Sequence, residues 1–237
     1  RRRRRRQPRE IIFASASPTI TTNLLCFLVF ALALLGDVLA APEKWTKAID
    51  AYTTADAAQP PARGGIVFIG SSSILKWTTL AQDFPGLPVL NRGFGGSELA
   101  DSVFYADRIV LPYQPRTVVV YAGDNDLKAG KSPETVAADF KALRTTIHAT
   151  LPATKIIFIG IKPSPARWAI RDHGIKANAL IAADCATDKK RLAFVDTWRP
   201  MLGPDGLPRP ELYVADKLHL TPAGYAVWTP LLAPLLK

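Results

Sequence analysis

Five short apolar runs, at residues 66–69, 89–90, 117–121, 156–159 and 192–195, constrain this chain more than any other feature. Each is rich in β-branched residues, is bounded by Gly, Pro or Asp, and reads as a strand. The segments between them have helical spacing. The clearest is 133–150, where Val136, Phe140, Leu143 and Ile147 fall on one face, Pro133 opens the helix and Ser132 precedes it. Alternating βα units of this kind imply a parallel sheet covered by helices on both faces, here a three-layer α/β/α sandwich around five strands. An amphipathic helix is expected over 42–58, with Trp45, Ala48, Ile49 and Tyr52 inward and Gln59-Pro60-Pro61 ending it. A final helix is expected over 222–235, capped by Thr221 and interrupted or shortened by Pro230 and Pro234.

The 237 residues suit one catalytic-size domain, 41–237, behind a leader, 1–40. Arg1 to Arg6 and Arg9, then the apolar run 24–36 and the small residues at 38–41, read as charged region, hydrophobic region and cleavage site of a secretory signal, cut after Ala40. A membrane anchor needs about 20 unbroken apolar residues, and this run is shorter and is followed at once by Asp37. The protein is therefore expected to be exported, periplasmic or secreted, with no span left after cleavage. Half of the net charge of +10 lies in that leader, whose seven arginines face Glu10 and Asp37. No basic run with interleaved aromatics remains to suggest nucleic acid. Cys26 lies in the leader, so Cys185 has no partner within the mature chain and the domain relies on its core.

Four blocks carry candidate chemistry. Gly70-Ser71-Ser72-Ser73 follows the first strand and opens a helix, where unpaired N–H groups favour a developing negative charge. Ser72 there is a nucleophile or, more plainly, a helix cap. Asn91 to Ser97, with Gly93, Gly95 and Gly96, follows the second strand and is either a tight turn or a backbone close enough to a ligand to donate N–H groups to an oxyanion. Gly123-Asp124-Asn125-Asp126 follows the third strand, and the Asn125 amide either donates to the same oxyanion or closes an Asx turn. A calcium loop is a poor fit, with Lys128 and Ala129 at its fifth and sixth positions. Asp216-Lys217-Leu218-His219 can set a carboxylate against an imidazole three residues on, or is a surface pair. The chain has three histidines: His148 falls on the polar side of the 133–150 helix and is expected to be a solvated surface residue, and His173, on a loop after the fourth strand, is the rival base.

In a doubly wound sheet, segments that follow the carboxyl ends of strands emerge on one edge, so these distant blocks converge. The four together resemble the SGNH hydrolases, also called the GDSL lipase/esterase family, over nearly all of 65–237. The resemblance implies a flavodoxin-like fold and a serine ester hydrolase without cofactor or metal. It makes Ser72 the nucleophile, His219 the base and Asp216 its orienting partner. The Ser72 N–H, Gly96 and Asn125 become oxyanion donors, with Gly96 chosen over Gly95 by counting from Asn91. The family's usual Asp before the nucleophile is Ser71 here, and Gly-Ser-Ser-Ser followed by Trp77 is similar to the branch related to platelet-activating-factor acetylhydrolase. A Gly-x-Ser-x-Gly elbow would need glycine where the chain has Ile74.

A rival reading is a non-catalytic flavodoxin-like module holding FMN or another phosphate on Ser71, Ser72 and Ser73. It gives no role to Asn125, Asp216 or His219. As an enzyme, the chain is expected to act on short acyl esters, acetyl above all, of a small molecule or polysaccharide, since no apolar lid insertion is evident. The loop 162–168 is expected to border the same edge, where Trp168 either stacks on a sugar or packs on the domain.

Overall fold

The computed structural model describes residues 43–237, so the expected leader, 1–40, and Cys26 lie outside the described residues. Five strands, β1 (Ile66–Gly70), β2 (Val89–Gly93), β3 (Thr117–Tyr121), β4 (Lys155–Ile159) and β5 (Leu192–Val195), form one parallel sheet in the order β2-β1-β3-β4-β5. All five expected strands are present, and β2 runs three residues beyond its apolar pair because Asn91, Arg92 and Gly93 also pair with β1. Successive side chains of a strand point to opposite faces, and the two cores divide accordingly. Val67, Ile69, Val118, Val120, Ile156 and Phe158 join one cluster, whereas Ile66, Phe68, Val119, Tyr121, Ile157 and Ile159 join the other. Helices must therefore cover both faces.

The first cluster is closed by α1 (Thr46–Ala58), α4 (Leu99–Phe104), α5 (Ala106–Ile109), α7 (Pro133–Thr150) and α8 (Arg171–Ala186). The second is closed by the single turn α2 (Ser72–Leu75), by α3 (Leu80–Asp83) and by α9 (Pro222–Leu232). The remaining helical turn, α6 (Asp124–Lys128), follows β3. The α7 bounds and its buried face of Val136, Phe140, Leu143 and Ile147 match expectation, and the Ser132 side chain accepts the Thr135 N–H. A 3-10 turn, Glu43–Trp45, leads into α1, which buries Ile49 but leaves Ala48 exposed, because its apolar stripe is narrow. Thr221 caps α9 through the Gly224 N–H. Pro230 is accommodated within that helix, and the chain tightens to a 3-10 turn, Ala233–Leu235, at Pro234.

The register fixes where the loops leave. Gly70 pairs with Gly93 on one side and Tyr121 on the other, so β1, β2 and β3 end level. From β1 the chain goes outward to β2 and then returns to β3 on the opposite side, so a switch point lies between β1 and β3, where a crevice opens beyond the carboxyl ends. Gly70 is required there: its φ is +120°, and a Cβ would stand 1.9 Å from the Tyr121 carbonyl oxygen.

Candidate active site

Ser72 is the first residue of α2, two residues beyond the end of β1, and is half-buried with its hydroxyl toward His219. The helix is a single turn, so what the serine gains is unpaired N–H groups rather than an extended dipole. Ser71 precedes it in extended conformation, donating its N–H to the Tyr121 carbonyl at 2.9 Å, while its own buried hydroxyl has no partner. Serine in place of the family's Asp therefore leaves no side-chain hydrogen bond at this position. The second block is tied to the Ser72 turn without it: Asn91 Nδ2 donates to the Ile74 carbonyl at 2.6 Å, and Asn91 Oδ1 accepts the Gly93 N–H at 2.9 Å.

Ser72 Oγ lies 2.8 Å from His219 Nε2, and His219 Nδ1 lies 2.5 Å from Asp216 Oδ2. A carboxylate only accepts, so the Asp216 contact puts the ring proton on Nδ1 and leaves Nε2 to accept from the Ser72 hydroxyl. The other Asp216 oxygen accepts the backbone N–H groups of Leu218 and His219, each at 2.9 Å. Burial pushes the Asp216 pKa up, but the hydrogen bonds from the His219 ring and from the two backbone N–H groups outweigh it, holding the carboxyl well below the ordinary range. Lys217, at φ +58°, gives the loop the left-handed kink that brings these groups round one carboxylate.

The glycine block stands beside the serine. A Cβ on Gly95 would lie 3.8 Å from Ser72 Cβ, whereas Gly96, at φ +78°, faces the Trp45 ring, which a Cβ would meet at 3.2 Å. Neither the Gly95 nor the Gly96 N–H has an acceptor among the described residues, while the Ser97 N–H returns to the Phe94 carbonyl at 3.3 Å. Asn125, in the first turn of α6, donates from Nδ2 to the Ser97 carbonyl at 3.0 Å, which joins the second and third blocks directly. Of its neighbours, Asp126 is fully buried and accepts the Leu99 N–H at 3.1 Å. Burial pushes the Asp126 pKa up to about 6, against the pull of Lys131 and of the Leu99 N–H.

Two sequence expectations about histidine change. His148 is half-buried rather than solvated, its Nε2 2.9 Å from the Thr154 carbonyl, because the chain turns back past the end of α7. His173 belongs to the first turn of α8, not to a loop, and is exposed; the structure brings His219, and not His173, to Ser72. Trp168 sits in a 3-10 turn, Pro165–Ile170, stacked on Trp198 at 6.2 Å and 19°, with the Arg171 guanidinium 5.4 Å from its ring centre. Packing on the domain thus takes up much of that ring. The same turn touches the His219 loop, because the Ala166 N–H donates to the Lys217 carbonyl at 3.0 Å.

Two contributions escaped the sequence. Trp45 packs edge-on against Phe94 at 5.7 Å and donates to Asp101 Oδ2 at 2.9 Å, and the Tyr52 hydroxyl donates to the Gly93 carbonyl, so α1 and its leading turn buttress the glycine block. Periodicity marks these aromatics only as an inward face. Lys162, after β4, reaches Ser73 and Asp124 beneath the site. Its type and its place in a loop suggest a solvated side chain.

A Ser–His–Asp hydrogen-bond chain thus stands at the switch point of a doubly wound α/β sheet. The model of the GDSL-like lipase/acylhydrolase family matches residues 69–227, and the chain belongs to that family, whose members are ester-hydrolysing enzymes. Among solved structures the chain is similar to one from Streptococcus pneumonia provisionally named a platelet activating factor, at 18% identity and TM-score 0.73, covering 88% of this chain and 99% of that one. It is also similar to a GDSL-like lipase from Bacteroides thetaiotaomicron, at 23% identity and TM-score 0.66, covering 79% and 96%. A third is a point mutant of an acetyl-xylooligosaccharide esterase from Geobacillus Stearmophilus, at 15% identity and TM-score 0.58, covering 74% and 95%. No curated protein sequence matches the chain. The reading as a flavodoxin-like phosphate-binding module finds no support in these likenesses. Among the described residues no helix is long and apolar enough to cross a membrane.

Proposed function

We infer that the protein hydrolyses short-chain acyl esters, acetyl above all, through an acyl-enzyme on Ser72. The observation that carries this reading is the unbroken chain from Ser72 Oγ through His219 to Asp216, at 2.8 and 2.5 Å. His219 Nε2 takes the hydroxyl proton as Ser72 Oγ attacks the ester carbonyl, Asp216 stabilises the imidazolium, and the proton passes to the departing alcohol. Water then attacks the acyl-enzyme by the same route, releasing the acid and restoring Ser72. The Ser72 N–H, the free N–H of Gly96 and the second hydrogen of the Asn125 amide stabilise the oxyanion, and Ser97 sets the plane of that amide.

A cleft of about 440 Å³ lined by Pro165, Trp168, Leu207, Pro208, Tyr213 and Lys217 adjoins the His219 loop, and we assign it to the alcohol part of the ester. Its mixed apolar and polar walls suit the ring of an acylated sugar, and the likeness to an acetyl-xylooligosaccharide esterase agrees in direction. The 24–36 apolar run after an arginine cluster supports export, with an extracellular or periplasmic ester as substrate. The test is a panel of p-nitrophenyl esters of rising acyl length, together with acetyl release from xylan. Turnover is expected to peak at acetyl and to vanish in Ser72→Ala; a peak at long acyl chains contradicts the substrate class, and full activity in Ser72→Ala contradicts the mechanism.

A further inference from the structure

A charged cluster lies beneath the nucleophile turn, outside the reaction just described. Lys162 is 2% exposed, and its ammonium has three hydrogens to donate. All three are engaged: by Ser73 Oγ at 3.1 Å, by the Tyr121 hydroxyl at 2.8 Å and by Asp124 Oδ2 at 3.2 Å. Nζ also stands 4.8 Å from the centre of the Tyr121 ring, and the Tyr121 hydroxyl donates in turn to Asp124 Oδ2 at 3.2 Å. Burial pushes the Lys162 pKa below its ordinary value, with Asp124 opposing that shift. A buried ion pair seldom outperforms a well-packed apolar pair of the same size, so stability alone does not account for a lysine here.

The identity of the partners supplies the other reason. Ser73 is the neighbour of Ser72, and its carbonyl is also held by the Tyr225 hydroxyl at 2.9 Å. Asp124 is the neighbour of Asn125, and Tyr121 ends the strand that leads into the helical turn holding both. Next to Lys162, the Pro163 carbonyl accepts from Tyr213, at the foot of the loop that leads to Asp216 and His219. One ammonium thus joins the strand end bearing the nucleophile to the strand end bearing the amide donor.

We propose that Lys162 is a positioning residue for ester hydrolysis, its three hydrogen bonds fixing the separation between Ser72 Oγ and the Asn125 amide. The proposal rests on the roles given to Ser72 and Asn125 above. None of the Lys162 hydrogen bonds goes to Ser72, His219, Asp216 or Asn125. A small misplacement between nucleophile and oxyanion donor acts on the transition state more than on ground-state binding, so its loss lowers kcat while KM changes little.

The experiment compares Lys162→Met, Asp124→Asn and the double variant, using p-nitrophenyl acetate turnover and urea unfolding, with Ser72→Ala as control. Lys162→Met is expected to lower kcat by about thirtyfold or more with KM within about threefold. The double variant buries no charge, and is expected to regain most of the unfolding midpoint while kcat stays at least about tenfold low. If Lys162 serves merely to neutralise Asp124, stability and turnover return together. Turnover of the double variant within about threefold of the unmodified protein therefore overturns the proposal, and this variant decides the matter if Lys162→Met does not fold. An active Ser72→Ala protein removes the nucleophile reading and the Lys162 proposal with it. An inactive Ser72→Ala protein beside a fully active double variant removes the Lys162 proposal alone.

Discussion

Two acid–base clusters share the carboxyl rim of the sheet. In the Asp216–His219 pair the side chains are 46% and 18% exposed, and three residues of one loop bring them together. In the Lys162–Asp124 pair they are 1% and 7% exposed, and the lysine's partners lie 38 to 89 residues away in sequence. In the proposed mechanism the imidazole gains and loses a proton in every turnover, a role served by contact with solvent and by a partner that stays charged. A charge that holds two loops together is served by burial, where water does not compete for its hydrogen bonds. The two clusters are therefore expected to fail differently: loss of the first costs rate with little change in stability, whereas loss of charge balance in the second costs both rate and stability.

The largest effect expected from the exposed cluster is that of Asp216→Asn. The Asn oxygen can still accept the Leu218 and His219 N–H groups, so the loop keeps its shape. Its amide, however, donates to Nδ1 and drives the ring proton to Nε2, where it cannot accept from Ser72. Turnover should fall by about ten-thousandfold, with the urea midpoint lowered only slightly, because the charge that is lost is half-exposed and screened. A large loss of stability, or a loss of rate under tenfold, would break the contrast between the clusters.

A smaller effect is expected at Asp126, which shares the third block with Asn125 but is buried and has its pKa pushed up to about 6. The folded state holds that proton more tightly than the unfolded chain, whose carboxyl has an ordinary pKa near 4. Stability from this group is then full at low pH and declines as pH rises through the window from about 4 to about 6. Asn at this position has no proton to lose. The urea-derived stability of Asp126→Asn, relative to the unmodified protein, should rise by about 1 to 2 kcal/mol from pH 4.5 to pH 7.5. A relative stability independent of pH would show that Lys131, which also pairs with Glu98 and Asp139, holds Asp126 ionised in the fold.

The same contrast governs what could be read from sequence. The strands were legible because parallel strands buried on both faces appear as compact β-branched runs, and α7 because its apolar residues repeat at helical spacing. The Asp216–His219 contact was legible because it is local, and the convergence of the Ser72, Gly95–Gly96 and Asn125 loops because each comes after a strand that ends at the same level; the roles given to those residues came from the family resemblance. Lys162 was not, since nothing near it in sequence names Ser73, Tyr121 or Asp124 as a partner. Nor was the buttress from Trp45 and Tyr52, which periodicity assigns to an inward face without saying what that face meets. His148 was misplaced because its partner, Thr154, lies beyond the helix end, outside the pattern that helical spacing describes.

The central claim, that Ser72 is the hydroxyl activated by His219, is tested most directly by labelling with a fluorophosphonate and sequencing the adduct. Cleavage after Arg63 and Lys76 leaves Ser71, Ser72 and Ser73 on one peptide, so fragment ions within it must locate the added mass. The account predicts one adduct, on Ser72, formed at least about a hundredfold more slowly in His219→Ala. An adduct on Ser71 or Ser73, or labelling that proceeds at the same rate without His219, would contradict it.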